Sequence, residues 1–376
     1  MKIVVDCFKL VKGTGKSIGI YNVARSLVQE LSKKQKIIVL GTEYNREDFD
    51  LPGVTFVCVK YNPLNKIVCI LWELYLVTVS LNRIGADVVL FPRGFSYLKL
   101  FDCFVKAKNY VIIHDMIPFY YDEHYPGVLS KFENFYIMNR LKASAKNCNR
   151  VITVSEASKN DIVRVTGIKP DKVIVIYNGM NKMDILSEER TEEEKKDVQD
   201  GQGYISAVCS ALPHKNADGV VSCYKKYYEL QKESGCEILG LVIIGLSDVK
   251  KYNLPEEIEA KIKCYKYLEK DSDMHKLIKN SRFFMFLSKV EGFGFPPLEA
   301  MQLGVPVICS QVSSLPEVVG DAAILVNPDD EDAVVSKMIE MESEKLRSNL
   351  IEKGYANTKR FMWDDKAEEY LKVLKG

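Results

Sequence analysis

Short apolar runs recur through this chain in two series, and that recurrence limits the fold more than any other feature. The first series is 2–8, 36–40, 54–59, 87–91, 109–114, 150–155 and 172–176; the second is 204–210, 238–245, 261–265, 283–287, 305–309 and 323–326. Amphipathic stretches such as YNVARSLVQELSKK at 21–34, and the segment around 129–147, fill the gaps. Strands that alternate with helices read as a parallel sheet of the doubly wound kind. Between the two series, residues 183–202 read MDILSEERTEEEKKDVQDGQ, polar, acidic and without apolar period, as a linker or a solvated helix between domains does. At 376 residues the chain also exceeds what one hydrophobic core usually supports. The spacing therefore predicts two α/β halves facing each other across a cleft: 1–182, a linker at 183–202, a second half at 203–355, and a closing amphipathic helix at 356–376.

Composition excludes several other classes. Hydrophobic residues at 47% and charged residues at 27% are the balance of a soluble globular protein. The ten cysteines are scattered, with no C-x-x-C pair and no His–Cys cluster, and Cys58 and Cys309 sit inside apolar runs. They read as buried free thiols of a reducing compartment, not as disulfide or metal ligands. Met1 leads straight into KIVVDCF, which reads as a chain without a signal peptide. The run IVCILWELYLVTVSL at 67–81 is too short to span a bilayer and carries Glu73 in its middle. A buried core helix is expected there, with membrane contact as the alternative. The net charge of +1 hides an asymmetry: residues 1–178 hold 25 Lys/Arg against 16 Asp/Glu, the remainder 27 against 35. A basic first half fits an anionic membrane surface or a phosphate-bearing acceptor, and equally a solvated charge that fell unevenly. No nucleic-acid partner is expected.

In open parallel sheets ligands bind beyond the carboxyl ends of the strands, so residues just after each run carry the functional reading. The most informative stretch is 288–328, SKVEGFGFPPLEAMQLGVPVICSQVSSLPEVVGDAAILVNP. A strand ends, a loop with Gly292 and Gly294 follows, and Pro296 and Pro297 mark a helix start. Backbone N–H groups at such a start have no helical partner and favour an anion, a diphosphate above all. Glu291 and Glu299 flank the loop, and carboxylates bind sugar hydroxyls as acceptors. Sugars on both sides of a diphosphate describe a nucleotide-sugar; the plainer reading is a first-turn glutamate beside a surface loop.

This segment resembles the E-x7-E signature of the GT4 family of retaining glycosyltransferases, and GVPVICS and LPEVVGDAAILVNPDD match its usual continuation. The resemblance implies the GT-B fold: two Rossmann-like domains, an N-terminal acceptor-binding and a C-terminal nucleotide-sugar-binding one, with a C-terminal helix returning toward the first. It implies that Glu291 contacts the donor sugar, that Glu299 binds ribose hydroxyls, and that the backbone from Gly292 through Phe293, Gly294 and Phe295 to Leu298 holds the distal phosphate. VIIHDMIP resembles the family's His-Asp motif, placing His114 and Asp115 beside the donor sugar. VITVSEASKNDIVRVTGIKPDKVIVIYNG at 151–179 is similar to later segments of the first domain, where Ser155 reads as a helix cap. In AVCSALPHKN, Lys215 matches a lysine that pairs with donor phosphates. His214 stands near where many members carry an Arg, as a partial replacement. In KGTGKSIGIYNVARSL, Gly13, Gly15 and Gly19 precede a helix, and Gly19 best matches the glycine that lets acceptor and donor phosphate approach.

The expected reaction moves a hexose or deoxyhexose from a nucleotide-sugar to a hydroxyl of a glycan or lipid-linked acceptor, with retention. His114, Lys215 and Glu291 are the expected catalytic residues, the departing diphosphate taking the acceptor's proton. Lys215 and the helix start stand in for a metal, and domain closure excludes water. Asp271-Ser-Asp273, before a helix, reads as first-turn acids and not as a metal site. No cofactor is expected, with GDP-mannose or a similar donor favoured from the P-H-K-N turn. The family context suggests assembly of a cell-surface polysaccharide (capsule, O-antigen or exopolysaccharide) in the cytoplasm, with peripheral contact to anionic membrane through Lys131, Arg140, Lys142 and Lys146. Rival readings are a sugar-nucleotide epimerase of GT-B-like fold and a non-catalytic nucleotide-sugar binder. A dinucleotide oxidoreductase is disfavoured because G-T-G-K-S-I-G misses the G-x-G-x-x-G spacing by one residue.

Overall fold

Each of the apolar runs is a strand in the computed structural model, which describes residues 1–13, 18–97, 105–183 and 203–376. In the first half these are β1 (Ile3–Asp6), β2 (Ile37–Gly41), β3 (Val54–Cys58), β4 (Val88–Phe91), β5 (Lys108–Ile112), β6 (Arg150–Thr153) and β7 (Val173–Val175). They pair in parallel in the order β3-β2-β1-β4-β5-β6-β7. Central strands such as β4, VVLF, are buried at every position, because helices cover both faces of a parallel sheet. The longer helices of this half are α1 (Ile18–Lys34), α2 (Lys66–Ile84), α3 (Ile117–His124), α4 (Lys131–Asn147) and α5 (Glu156–Thr166). A π-helical turn at Trp72–Leu76 interrupts α2 and turns Trp72 onto Phe8, their rings stacked at 4.3 Å.

The second half repeats the scheme with six strands: β8 (Tyr204–Val208), β9 (Gly240–Ile244), β10 (Ile262–Tyr265), β11 (Phe283–Phe286), β12 (Val307–Ser310) and β13 (Ala323–Val326). Their order is β10-β9-β8-β11-β12-β13, again all parallel. Its longer helices are α6 (Ala217–Glu233), α7 (Asp271–Lys279), α8 (Phe295–Gln302), α9 (Glu331–Glu340) and α10 (Glu344–Thr358). Tyr224 and Tyr227 of α6, Met285 of β11 and Met338 of α9 are among the buried side chains of its core.

Contacts divide the chain into two units, Met1–Asn181 with Phe361–Gly376, and Lys182–Arg360. The boundary expected at 355/356 is corrected, because α10 runs through it to Thr358. The closing helix, α11 (Trp363–Lys375), belongs to the first unit. Trp363 lies so close over Gly179 that a Cβ there would sit 2.1 Å from its ring, and Lys34 of α1 pairs with Asp364 at 2.7 Å and Glu368 at 2.9 Å. Of the expected linker, residues 184–202 lie outside the described residues, as do Gly15 and Cys103. The other nine cysteines are free: Cys7, Cys148, Cys209, Cys223 and Cys309 are buried, whereas Cys236 is exposed. Burial pushes the Cys209 thiol up to about 12.

The expectation of a buried core helix at 67–81 holds for one face only. Trp72, Glu73, Val77, Thr78 and Leu81 are buried, while Ile67, Ile70, Leu71, Tyr75 and Val79 are exposed. Its centre is fixed by charge as well as packing. Glu73 pairs with Lys9 and, at 2.8 Å, with Arg140 of α4.

Candidate active site

Parallel sheets open a crevice where the strand order reverses, since neighbouring crossovers then leave on opposite faces. In the second unit that point lies between β8 and β11. The loops leaving these two strands meet there. After β8 the chain makes a short 3-10 turn, Pro213–Lys215, and enters α6 through Asn216, whose φ of +52° is one that asparagine tolerates better than most residues. The Asn216 amide donates to the carbonyls of Leu287 (3.0 Å) and Pro328 (3.4 Å), and its oxygen accepts from Gly219 N–H at 3.3 Å. One side chain thus ties the loops after β8, β11 and β13 together. Lys289 N–H donates to the His214 carbonyl at 2.7 Å, completing the register between the first two.

That register brings Lys215 and Glu291 into contact, Nζ to Oε1 at 2.6 Å. The two residues are far apart in sequence, and the structure joins them. The backbone beyond Glu291 is held from the loop after β12. Ser313 donates to the Glu291 carbonyl at 2.7 Å, and the Ser314 hydroxyl lies 2.9 Å from the carbonyls of both Glu291 and Phe293. Gly294 then adopts a φ of +106°, and a Cβ built there would lie 2.5 Å from Leu315. Only glycine meets both conditions without strain. Helix α8 begins at Phe295, with Pro296 and Pro297 in its first turn. Prolines carry no N–H, so the donors this helix start offers outside its ladder are those of Gly294 and Phe295. Leu298, in the same turn of α8, has a fully buried side chain.

Glu299 lies one turn further along α8, partly exposed. Burial of its carboxyl, together with the charge of Asp271 at the start of α7, pushes its pKa up to about 7. Asp271 and Asp273 are the first-turn acids of α7. His214 is buried; desolvation and the neighbouring Lys215 charge hold its pKa down at about 4. That environment favours the neutral ring at neutral pH.

In the first unit, His114 and Asp115 follow β5 by two and three residues. His114 Nε2 lies 2.9 Å from the Pro92 carbonyl, and burial lowers its pKa. A carbonyl only accepts, so the neutral ring carries its proton on Nε2 and leaves Nδ1 as an acceptor. The Asp115 carboxylate accepts from Ile117 N–H at 3.0 Å, and Ser155 caps α5 by accepting from Ser158 N–H at 3.0 Å. Gly19 lies in the first turn of α1 with nothing within 4 Å of where a Cβ would stand. The strand order of this unit reverses between β1 and β4. A small pocket lies at that reversal, lined by Asp6, Lys9, Glu73, Pro92, Arg93 and Tyr97 among others. Arg93 donates to the Lys9 carbonyl at 2.7 Å, and Asp6 accepts from Trp72 Nε1 at 3.2 Å, its pKa raised to about 6 by burial. Sequence reasoning missed this cluster, although Asp6 ends β1 and Arg93 follows β4, the positions the strand-end rule selects.

Across all of both chains the fold superposes on Anabaena HepE solved in complex with UDP (TM-score 0.70, 16% identity). It also matches WaaG, a glycosyltransferase involved in lipopolysaccharide biosynthesis, over all of both chains (TM-score 0.69, 12% identity). Two parallel-sheet, Rossmann-like units of this kind define a glycosyltransferase of the GT-B class. "Glycosyltransferase Family 4" matches residues 18–182 and "Glycosyl transferases group 1" matches residues 188–357, and the chain belongs to this GT4 family of glycosyltransferases. Curated relatives include O-antigen chain mannosyltransferase B of Escherichia coli, 28% identical over 268 residues, 70% of this chain and 68% of that protein. Another is O-antigen chain mannosyltransferase RfbU of Salmonella typhimurium, 29% identical over 225 residues, 59% of this chain and 57% of that protein.

Proposed function

We propose that this glycosyltransferase moves a hexose, mannose first among candidates, from a nucleoside diphosphate sugar to a hydroxyl of a glycan or lipid-linked acceptor, retaining the anomeric configuration. The reading is of a step in cell-surface polysaccharide assembly at the cytoplasmic side of a membrane. The observation that carries it is the Lys215–Glu291 pair at the strand reversal, set against the glycine turn and helix start of α8. In the assigned roles Lys215 and the Gly294 and Phe295 N–H groups hold the diphosphate. Glu291 accepts from a hydroxyl of the donor sugar, and Glu299 from the ribose.

The reaction breaks the bond between the anomeric carbon and the distal phosphate oxygen and forms one to the acceptor oxygen on the same face. The acceptor's proton passes to the departing phosphate oxygen. Lys215 stabilises the charge that develops there, an effect worth about 10²–10³ in rate for a single well-placed donor. His114, neutral and with Nδ1 open to accept, is assigned to a sugar hydroxyl. The pocket of Asp6, Lys9 and Arg93 is assigned to the acceptor. The mannosyltransferase relatives support mannose and thus GDP-mannose, whereas UDP is the nucleotide in the solved HepE complex.

The test is thermal stabilisation of the full chain by GDP, UDP and their sugars, followed by transfer from the stabilising donor and NMR of the product's anomeric proton. Stabilisation by one diphosphate nucleotide, lost in Glu299→Ala, and an α-linked product from an α-linked donor are expected. Stabilisation without transfer to any glycan acceptor would favour the binding-protein alternative, and an inverted product would sink the retaining mechanism.

A further inference from the structure

The first unit carries a second cavity, at the end of its sheet where strands begin. It opens at the amino ends of β5, β6 and β7, and its lining includes Lys106, Lys108, Lys146, Asn149 and Lys172. Its volume is about 380 Å³, within the range of small-ligand sites, and its surface is almost wholly polar. No Asp or Glu lines it among the described residues. From Lys108 along β5 to His114 the strand direction covers about 20 Å, so a group bound here does not touch the transferred sugar. The floor is held by a reciprocal clasp. Asn109 N–H donates to Asn149 Oδ1 at 2.9 Å, and Asn149 N–H donates to Asn109 Oδ1 at 2.8 Å. Asn109 is buried, and its amide also donates to the Tyr97 hydroxyl at 3.1 Å. The clasp fixes Asn149 through its oxygen and leaves its NH₂ group as a donor at the cavity.

Helix ends account for part of the positive charge. Lys146 lies in the last turn of α4, and Lys172 donates to the Lys146 carbonyl at 2.7 Å. Lys108 stands beside the end of α11, where a Cβ on Gly376 would lie 3.3 Å from its Nζ. None of the four lysines is in an ion pair among the described residues. Each helix end supplies about half a negative charge, so even with the Gly376 carboxylate counted in full, about +2 is left. A phosphate monoester carries about −1.5 to −2 at neutral pH. We infer that this cavity is a second anion site, separate from that of the donor diphosphate, which takes one compact soluble phosphate group, inorganic or as a small ester. Lysine ammonium groups act as point charges and suit a tetrahedral anion, without the planar fit that an arginine offers a carboxylate. The polar walls offer no seat for an acyl chain. Of the cations expected at a membrane, Lys146 thus lines this cavity, and Arg140 is buried against Glu73.

Titration calorimetry of the full chain with inorganic phosphate at low ionic strength tests the site. A Lys215→Met chain, whose donor site has lost its cation, should keep saturable binding. Adding Lys106→Gln with Lys146→Gln should weaken that binding by about tenfold. Both side chains are exposed, and an unchanged melting temperature verifies that the variant folds. Lys60→Gln with Lys66→Gln, exposed elsewhere on the first unit, should leave the affinity unchanged. No saturable binding by the Lys215→Met chain, or equal affinity after the Lys106 and Lys146 substitutions, would overturn the proposal. Equal weakening by the Lys60 and Lys66 substitutions would reduce the effect to general charge and overturn it too. So would displacement of bound phosphate by phosphatidylglycerol vesicles but not by glycerol 3-phosphate, which would assign the lysines to a lipid headgroup. The inference does not rest on donor chemistry: a chain that binds no nucleotide can still bind phosphate here, so the two readings fail separately.

Discussion

Glu299 is assigned to grip a ribose, yet the folded protein resists ionising it, and the two statements together predict opposite effects of one substitution. Its pKa rises to about 7 from an ordinary value of 4.5, burial being the larger cause and Asp271 the smaller. The folded state therefore binds this proton more tightly than the unfolded chain, and stability falls as pH climbs from about 4.5 and levels off above 7. At about 1.4 kcal/mol per pH step the full cost is about 3 kcal/mol. Partial exposure of the side chain reduces it to about 1.5–2 kcal/mol. Glu299→Gln removes the charge and nearly keeps the shape. It should match wild type at pH 4.5 and melt about 3–6 °C higher at pH 8, using the shift per kcal/mol of a domain of this size. Nucleotide binding should change the other way. An ionised acceptor holds ribose hydroxyls more strongly than an amide, so wild type should bind diphosphate nucleotide more tightly as pH rises through 7. The Gln variant should lose about 1.5–3 kcal/mol of affinity at pH 8. Differential scanning fluorimetry from pH 4.5 to 8.5, with and without nucleotide, reads both. A variant no more stable than wild type at pH 8, or one whose advantage persists unchanged at pH 4.5, refutes the reasoning.

Other expectations follow from the same geometry. Lys215→Met should lower kcat by about 10²–10³ at saturating donor, since it removes the cation that the proposed mechanism assigns to the departing phosphate and that pairs with Glu291; initial-rate kinetics check this. Gly294→Ala imposes a φ of +106° on a Cβ that meets Leu315 at 2.5 Å, and should destabilise by at least about 2 kcal/mol in urea unfolding. Glu73→Ala leaves the charge of a buried Arg140 uncompensated beside Lys9 and should cost about 3–5 kcal/mol by the same assay. Burial keeps His114 neutral above its ordinary pKa of 6.5, so kcat should show no inflection attributable to it between pH 7 and 8, and a pH–rate profile of wild type beside His114→Asn tests that.

The strands were legible because they are buried on both faces, so each had to be a short continuous run of apolar residues whatever its partners. VVLF, FFMF and VICS announce themselves in this way. The glycine turn before α8 was legible for a related reason. A left-handed glycine before a proline-led helix is a requirement of the local backbone, written in consecutive residues. What holds that turn is not local. Asn216 reaches Leu287 and Pro328, and Ser313 and Ser314 reach Glu291, across separations that no spacing rule encodes. Helix boundaries were blurred similarly, since nothing at 355/356 interrupts the helical period that runs to Thr358.

Charge and hydrophobicity were the least legible, because a residue type does not say which way a side chain faces. Arg140 reads as one more surface cation among Lys131, Lys142 and Lys146, yet its guanidinium is buried against Glu73, while Lys131 stays in solvent. IVCILWELYLVTVSL is apolar around most of its circumference, so periodicity does not separate its packed side from its outer one. The packed side is chosen by Phe8, Lys9 and Arg140, each distant in sequence, which claim Trp72 and Glu73 and thereby turn Ile67, Ile70, Leu71 and Tyr75 outward. The single acid at its centre, which argued against a membrane span when read alone, is the contact that aims the apolar side outward.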